Sequence, residues 1–158
     1  MIKTKQELFL AIKEENIPLN PKLIWDNTLS EHVKYTCQNP QSLFEAFVTA
    51  PQMFPKPEQL LILWSTNSNS IVGYLRDDKK FIRYYVEDGV EDFEDLGNTY
   101  QQMISELFGK LISRSKDKSV LEDLAKTFGF HYLEELIHYV QTQDWEENTA
   151  TFIESIQR

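Results

Sequence analysis

Six carboxylates fall within nine residues of this sequence: Glu87, Asp88, Glu91, Asp92, Glu94 and Asp95. Asp77 and Asp78 stand one hairpin turn before them. The first chemistry such a run suggests is calcium binding. A calcium loop needs ligands at alternate positions, a glycine at the sixth and a glutamate at the twelfth. Here Gly89 is third counted from Glu87 and the acids come in adjacent doublets, so the pattern fails. Two readings stay open. The run is a solvated loop whose charges favour the N-terminus of the helix after it, or it is a protein-docking surface. In the second reading Tyr84, Tyr85 and Phe93 supply anchoring area, and the carboxylates orient the encounter.

Other constellations are weaker. His131, Glu134, Glu135 and His138 fall at spacings that share a helix flank. Two histidines and a carboxylate can hold zinc, but the histidines of a zinc-binding H-E-x-x-H helix are four apart, and these are seven apart. They occupy the polar side opposite Leu133, Leu136 and Val140, which reads as a solvated face. Cys37 and His32 are five apart, no glycine-framed serine elbow exists, and a nucleophile without a positioned base is inert. The glycines Gly73, Gly89, Gly97, Gly109 and Gly129 are scattered, so no phosphate or dinucleotide loop can be drawn. Acids are too plentiful for one hydrolytic pair to stand out. No catalytic residue, metal or cofactor is expected, and the chain is read as a binding protein with no enzymatic role. An enzyme with an unrecognised site and a structural or regulatory module are the competing readings.

The elements that must carry these residues are legible from periodicity. Thr4 and Glu7 have capping-box spacing at the head of a helix running to Glu15, with Leu8, Ala11 and Ile12 on one face. Leu23 to Asp26 is read as a short strand, and Leu29 to Cys37 is ambiguous. Asn39-Pro40 opens a helix through Leu43, Phe44, Phe47 and Val48. The proline-rich stretch after it is read as a loop stapled onto the core by Met53 and Phe54. Gln59–Ser65, Ser70–Arg76 and Lys80–Glu87 form a three-strand antiparallel meander, because turn residues separate them by only a few positions. Phe81, Arg83 and Tyr85 alternate with Ile82, Tyr84 and Val86 onto opposite faces. Thr99 to Ser113 carries one apolar stripe from Tyr100 to Ile112, which is expected to lie on the meander. A capping-box spacing at Ser119 and Glu122, a terminating Gly129, and helices at Tyr132–Gln141 and Glu147–Gln157 complete the chain.

These elements predict a single α+β domain over residues 1–158: a central, mostly antiparallel sheet built on the meander, flanked by helices, with a helical C-terminal extension. Ten Phe, seven Tyr and three Trp supply a core, with Trp25, Trp64 and Trp145 read as structural. A chain this long needs no metal or disulfide to fold, and Cys37, its only cysteine, can form no internal bridge. The formal charge of −9 disfavours nucleic acid and anionic lipid as partners and favours a basic protein. The N-terminus lacks the pattern of a secretory signal and no apolar run is long enough to span a bilayer, so the cytoplasm is the expected location.

One resemblance sharpens the functional expectation. The order Leu61-Ile62-Leu63-Trp64-Ser65, Val72-Gly73-Tyr74-Leu75, Phe81-Ile82-Arg83-Tyr84-Tyr85, acidic loop, then Thr99-Tyr100-Gln101-Gln102-Met103 opening an amphipathic helix resembles the SUKH superfamily. That superfamily contains relatives of the yeast cell-wall glucan synthesis regulator and the SecY-interacting protein Syd. The resemblance spans Gln59 to Ile112. It implies an α+β fold and an immunity-type protein that neutralises a toxin, here a basic nuclease. The partner-binding residues expected from the charge run and its neighbouring aromatics are Asp77, Asp78, Tyr84, Glu87, Asp88, Glu91, Asp92, Phe93, Glu94 and Asp95.

Overall fold

The computed structural model describes residues 1–26, 28–114 and 117–156. The chain divides into two compact units, one from Met1 to Asp95 and one from Leu96 onward. The architecture is α+β, as predicted: a four-strand antiparallel sheet with seven α-helices among the described residues.

In the first unit, Thr4 caps α1 (Lys5–Glu14) by accepting from Glu7 N at 3.1 Å. The reciprocal half of the expected box is absent, because the Glu7 carboxylate accepts from Lys3 N at 2.7 Å instead. Helix α1 buries Leu8, Ala11 and Ile12. Leu23 to Asp26, expected as a strand, is replaced by a helical turn, α2 (Lys22–Trp25). Pro21, at φ −66°, already holds helical backbone, and Asn20 Oδ1 accepts from Lys22 N at 3.1 Å, so local bonding decides against extension. Residues 31–36 form turns that bury Val33 and Cys37, and Gln38 then bridges to Ser65 on the sheet. Asn39 Oδ1 caps α3 (Gln41–Thr49) through Gln41 N at 2.9 Å. A 3-10 turn at Pro51–Met53 leads to buried Phe54, which staples the loop as expected, whereas Met53, the other expected staple, is exposed.

The strands are β1 (Leu60–Thr66), β2 (Ser70–Leu75), β3 (Lys80–Tyr85) and β4 (Phe93–Gly97), in that spatial order. Register pairs Leu61 with Tyr74 and Tyr74 with Phe81, and a bulge lies between Ile62 and Trp64. Leu60, Ile62, Ile71, Leu75, Ile82 and Tyr84 pack with Leu43, Phe47 and Phe54 in one cluster. The alternate residues Leu61, Trp64, Val72, Tyr74, Phe81 and Arg83 are buried as well, so both faces of the meander are covered. The fourth strand lies inside what the sequence presents as an acidic loop.

The second unit is organised by α4 (Tyr100–Ser113), ten of whose fourteen residues are buried. A full capping box starts it: Thr99 Oγ1 accepts from Gln102 N at 3.2 Å, and Gln102 Oε1 accepts from Thr99 N at 3.1 Å. Within this unit the apolar stripe packs with α5 (Lys118–Phe128), α6 (Leu133–Thr142) and α7 (Trp145–Ser155). Phe108 stacks on Phe130 at 4.7 Å between ring centres and meets Phe128 edge-on at 6.2 Å. Buried Gln101 holds the α5–α6 connection from both ends, donating to Gly129 O at 2.7 Å and accepting from His131 N at 2.9 Å. Gly129 closes α5 in the left-handed conformation, φ +70°, as its position predicts. The expected cap at Ser119 moves to Asp117, and Ser119 lies inside the first turn. Of the predicted terminal helix, Gln157 lies outside the described residues.

Gly109 sits on α4 where the Trp145 indole crosses it. A Cβ there would overlap Trp145 Cε2, Cζ2 and Nε1, so the ring occupies the space a side chain would need. Gly109→Ala is therefore expected to destabilise the protein by about 1–3 kcal/mol, because relief requires moving a buried indole and not a flexible chain end. A denaturant midpoint within error of the wild type would refute this packing.

Candidate functional site

The strand order fixes where the carboxylates go. The β2–β3 turn, with Asp77 and Asp78, lies at one end of the sheet. The residues that follow β3, from Glu87, lie at the other. Six residues of strand separate the two, roughly 20 Å at ~3.3 Å per residue. The antiparallel return along β4 then carries Asp95 back to the first end, where it meets Lys80 at 2.9 Å. The expected acidic surface is thus divided in two.

At the Asp77 end, charges of both signs interlock. Asp78 accepts from Lys56 Nζ at 2.6 Å, and both turn amides, Asp77 N and Asp78 N, donate to Gln59 Oε1 at 3.0 and 3.1 Å. Glu15, at the end of α1, accepts from Arg76 Nε at 2.9 Å and Lys79 Nζ at 2.8 Å, while Glu14 takes Arg76 Nη2 at 3.1 Å. The Lys79 ammonium and then the Arg76 guanidinium, by hydrogen bonding, hold the Glu15 carboxyl below its ordinary value. Asp95, and more weakly Asp78, raise Lys80. These groups tie α1 and β4 to the β2–β3 turn, which accounts for them structurally.

The other end is different in kind. Glu87, Asp88, Glu91 and Asp92 are exposed, and none makes an ion pair among the described residues. Two backbone-bonded turns hold them: Asp88 N donates to Tyr85 O at 3.0 Å, and Asp92 N to Gly89 O at 3.1 Å. Gly89, at φ +94°, makes the reversal between the turns. Val86 N anchors the segment to Asn69 O at 2.8 Å. Val90 stands between the two acidic doublets with 38% of its surface exposed. Glu94 is exposed on the edge strand.

The aromatic half of the expected surface requires correction. Tyr84 is 1% exposed and belongs to the core cluster; its hydroxyl donates to Met53 O at 2.9 Å. Burial, with a smaller contribution from Asp88, raises its ionisation above the ordinary tyrosine value. Phe93 is half-buried against the same cluster. Alternation had placed Tyr84 on a face of the strand, but no local signal says that both faces are covered. The exposed apolar residue of the segment is Val90, which a lone apolar side chain between acidic doublets beside a glycine could have flagged.

The remaining candidates do not converge. His131 and His138 are exposed, and Glu134 pairs with Lys118 at 3.1 Å. Cys37 is buried and His32 is exposed. Among the described residues no group of three or more His, Cys, Asp or Glu is placed to hold a metal, and no helix is long and apolar enough to cross a membrane. Comparison with protein-family models, curated proteins and solved structures finds no match for the chain.

Two outcomes follow. Tyr84→Phe should cost about 1 kcal/mol by leaving Met53 O unpaired, with no effect on any binding at the acidic turns; an effect on binding without one on stability would restore Tyr84 to the surface. A depressed carboxyl contributes stability that is complete above the ordinary value of 4.5 and is lost as pH falls through the folded-state value. Glu15→Gln should therefore flatten the decline in urea midpoint below about pH 4.5 while lowering the plateau above it. Parallel acid limbs in the two proteins would contradict the assignment.

Proposed function

We propose that this chain is a non-catalytic protein-binding domain that receives a basic partner on the turns formed by residues 87–92. The observation that carries the reading is the contrast between the two ends of one sheet. Asp78 and Asp95 are neutralised by Lys56 and Lys80, whereas Glu87, Asp88, Glu91 and Asp92 are exposed and unpaired among the described residues. Uncompensated charge contributes nothing to folding at this position. It does accelerate and orient the approach of a cationic surface. Val90 at the centre gives a desolvated contact, and the bonded turns limit the ordering cost of association.

Within this proposal the partner is a basic toxin of the nuclease type and the setting is cytoplasmic, as the SUKH resemblance implies. What supports this finer reading is the order of elements, meander, acidic turns and amphipathic helix, together with the −9 charge. A nuclease's nucleic-acid-binding surface is cationic, and a patch of carboxylates presents to it the same sign of charge as the phosphates.

The test is affinity capture from native cytoplasm, followed by stopped-flow association with the recovered partner. Reversing Glu87, Asp88, Glu91 and Asp92 to lysine should slow association by about tenfold or more at low salt and flatten its salt dependence. Reversing only Asp77 and Glu94 should have a much smaller effect. Association kinetics unchanged by the fourfold reversal, or capture of chaperones alone, would count against the proposal.

A further inference from the structure

The first unit carries a second surface of opposite character. Helix α1 and the segment returning from it enclose a groove of about 580 Å³. Its apolar surface is offered by Phe9, Pro18 and Pro21 over buried Ile12, Ile17 and Leu19, and Lys13 and Lys22 line it as well. The walls are fixed by the backbone: Ile17 N donates to Ile12 O at 3.1 Å, Asn16 turns the chain at φ +56°, and Asn20 Oδ1 caps Lys22 N.

The rim is cationic in a chain that is strongly acidic. Lys13 and Lys22 are exposed and make no ion pair among the described residues. The nearest acids of α1, Glu14 and Glu15, are committed to Arg76 and Lys79. Lys5, two turns before Lys13, lies over the rings of Phe9 and Trp25 at 5.3 and 5.5 Å and reaches Asp26 only at 3.9 Å. Two ammonium groups, Lys13 and Lys22, therefore line the groove, and no carboxylate does.

We infer that this groove takes an acidic segment of a partner protein, with an apolar side chain against Phe9, Pro18 and Pro21 and flanking carboxylates on Lys13 and Lys22. Charge complementarity selects the occupant: an apolar floor alone accepts any hydrophobic segment, and the two free ammonium groups discriminate for one that carries acids beside its anchor. The overall −9 charge repels such a partner at long range, but salt screens that distant repulsion more than it screens contacts made in the groove. Binding should persist at physiological ionic strength, unlike encounters driven by the acidic turns. The inference does not rest on the reading of those turns.

The experiment uses the full chain and arrayed peptides of about ten residues that interleave Val, Leu and Phe with Asp and Glu, with Ser and Asn, or with Lys and Arg. The wild type is expected to retain the acidic set over the neutral one. Lys13→Glu combined with Lys22→Glu should reduce that retention at least about tenfold, and the corresponding glutamine pair should reduce it by less. Both positions are exposed, and unchanged circular dichroism verifies folding of each variant. Retention of the Lys/Arg set should not fall with that of the acidic set but hold or rise in the glutamate variant, which separates this groove from the acidic turns. No retention of the acidic set, equal retention of the neutral set, or acidic retention unchanged in the glutamate variant would overturn the assignment. So would binding of decanoate with none of the peptides.

Discussion

Every residue of β2 is buried, and its neighbours β1 and β3 are buried over most of their length. A meander covered on both faces leaves little room for polar side chains away from its ends and outer edge, buried Arg83 being a charged exception. That constraint governs the rest of the first unit. Gly73, in the middle of β2, shows how closely the strands are occupied: a Cβ there would come within 2.8 Å of Leu60 Cδ1 and 2.9 Å of Leu61 O. Charge excluded from the faces collects in the two turns, and the strand length between them converts one acidic stretch of sequence into two separate electrostatic environments.

The two environments differ in what their charges accomplish. Around the β2–β3 turn, Glu14 and Glu15 hold Arg76 and Lys79 from more than sixty positions away in sequence, while Lys56 holds Asp78 and Lys80 holds Asp95. Pairs at a surface contribute little singly, ~0–1 kcal/mol each, but a network also fixes where its loops lie. At the opposite end the carboxylates face solvent on a bonded frame. Among the described residues, no group of three or more His, Cys, Asp or Glu at either end is placed to hold a metal.

Most elements were readable from local chemistry: the stripe of α4, the meander, the Asn39 cap and the Gly129 terminus each follow from nearest-neighbour periodicity or turn propensity. The failures share a cause. Strand β4 was hidden because Glu94, Asp95 and Gly97 are poor strand formers, and only pairing with β3 makes them extended. Helix α2 is not legible because three apolar residues, Leu23, Ile24 and Trp25, carry no period, and the decision lies with Pro21 and Asn20. The acidic segment was visible as composition, but its division between two ends of a sheet is a topological fact that no window of sequence contains. Tyr84 failed for the same reason: alternation assigns a face and says nothing of what covers it. Nothing local distinguishes Lys13 and Lys22 from other surface lysines; the pairing of Glu14 and Glu15 with Arg76 and Lys79 is what does.

The Trp145 ring lying on Gly109 has an optical consequence. Trp25 and Trp64 both belong to the first unit, and Trp145 is the single indole of the second. It is 6% exposed and is held by Tyr139 and Phe152 as well as by α4. Its emission is consequently a private signal of the helical unit, blue-shifted while the indole stays against the glycine and red-shifted when water reaches it. With the other two tryptophans replaced by phenylalanine, one fluorophore would report whether the helices dissolve in the same cooperative event as the sheet or as a separate one.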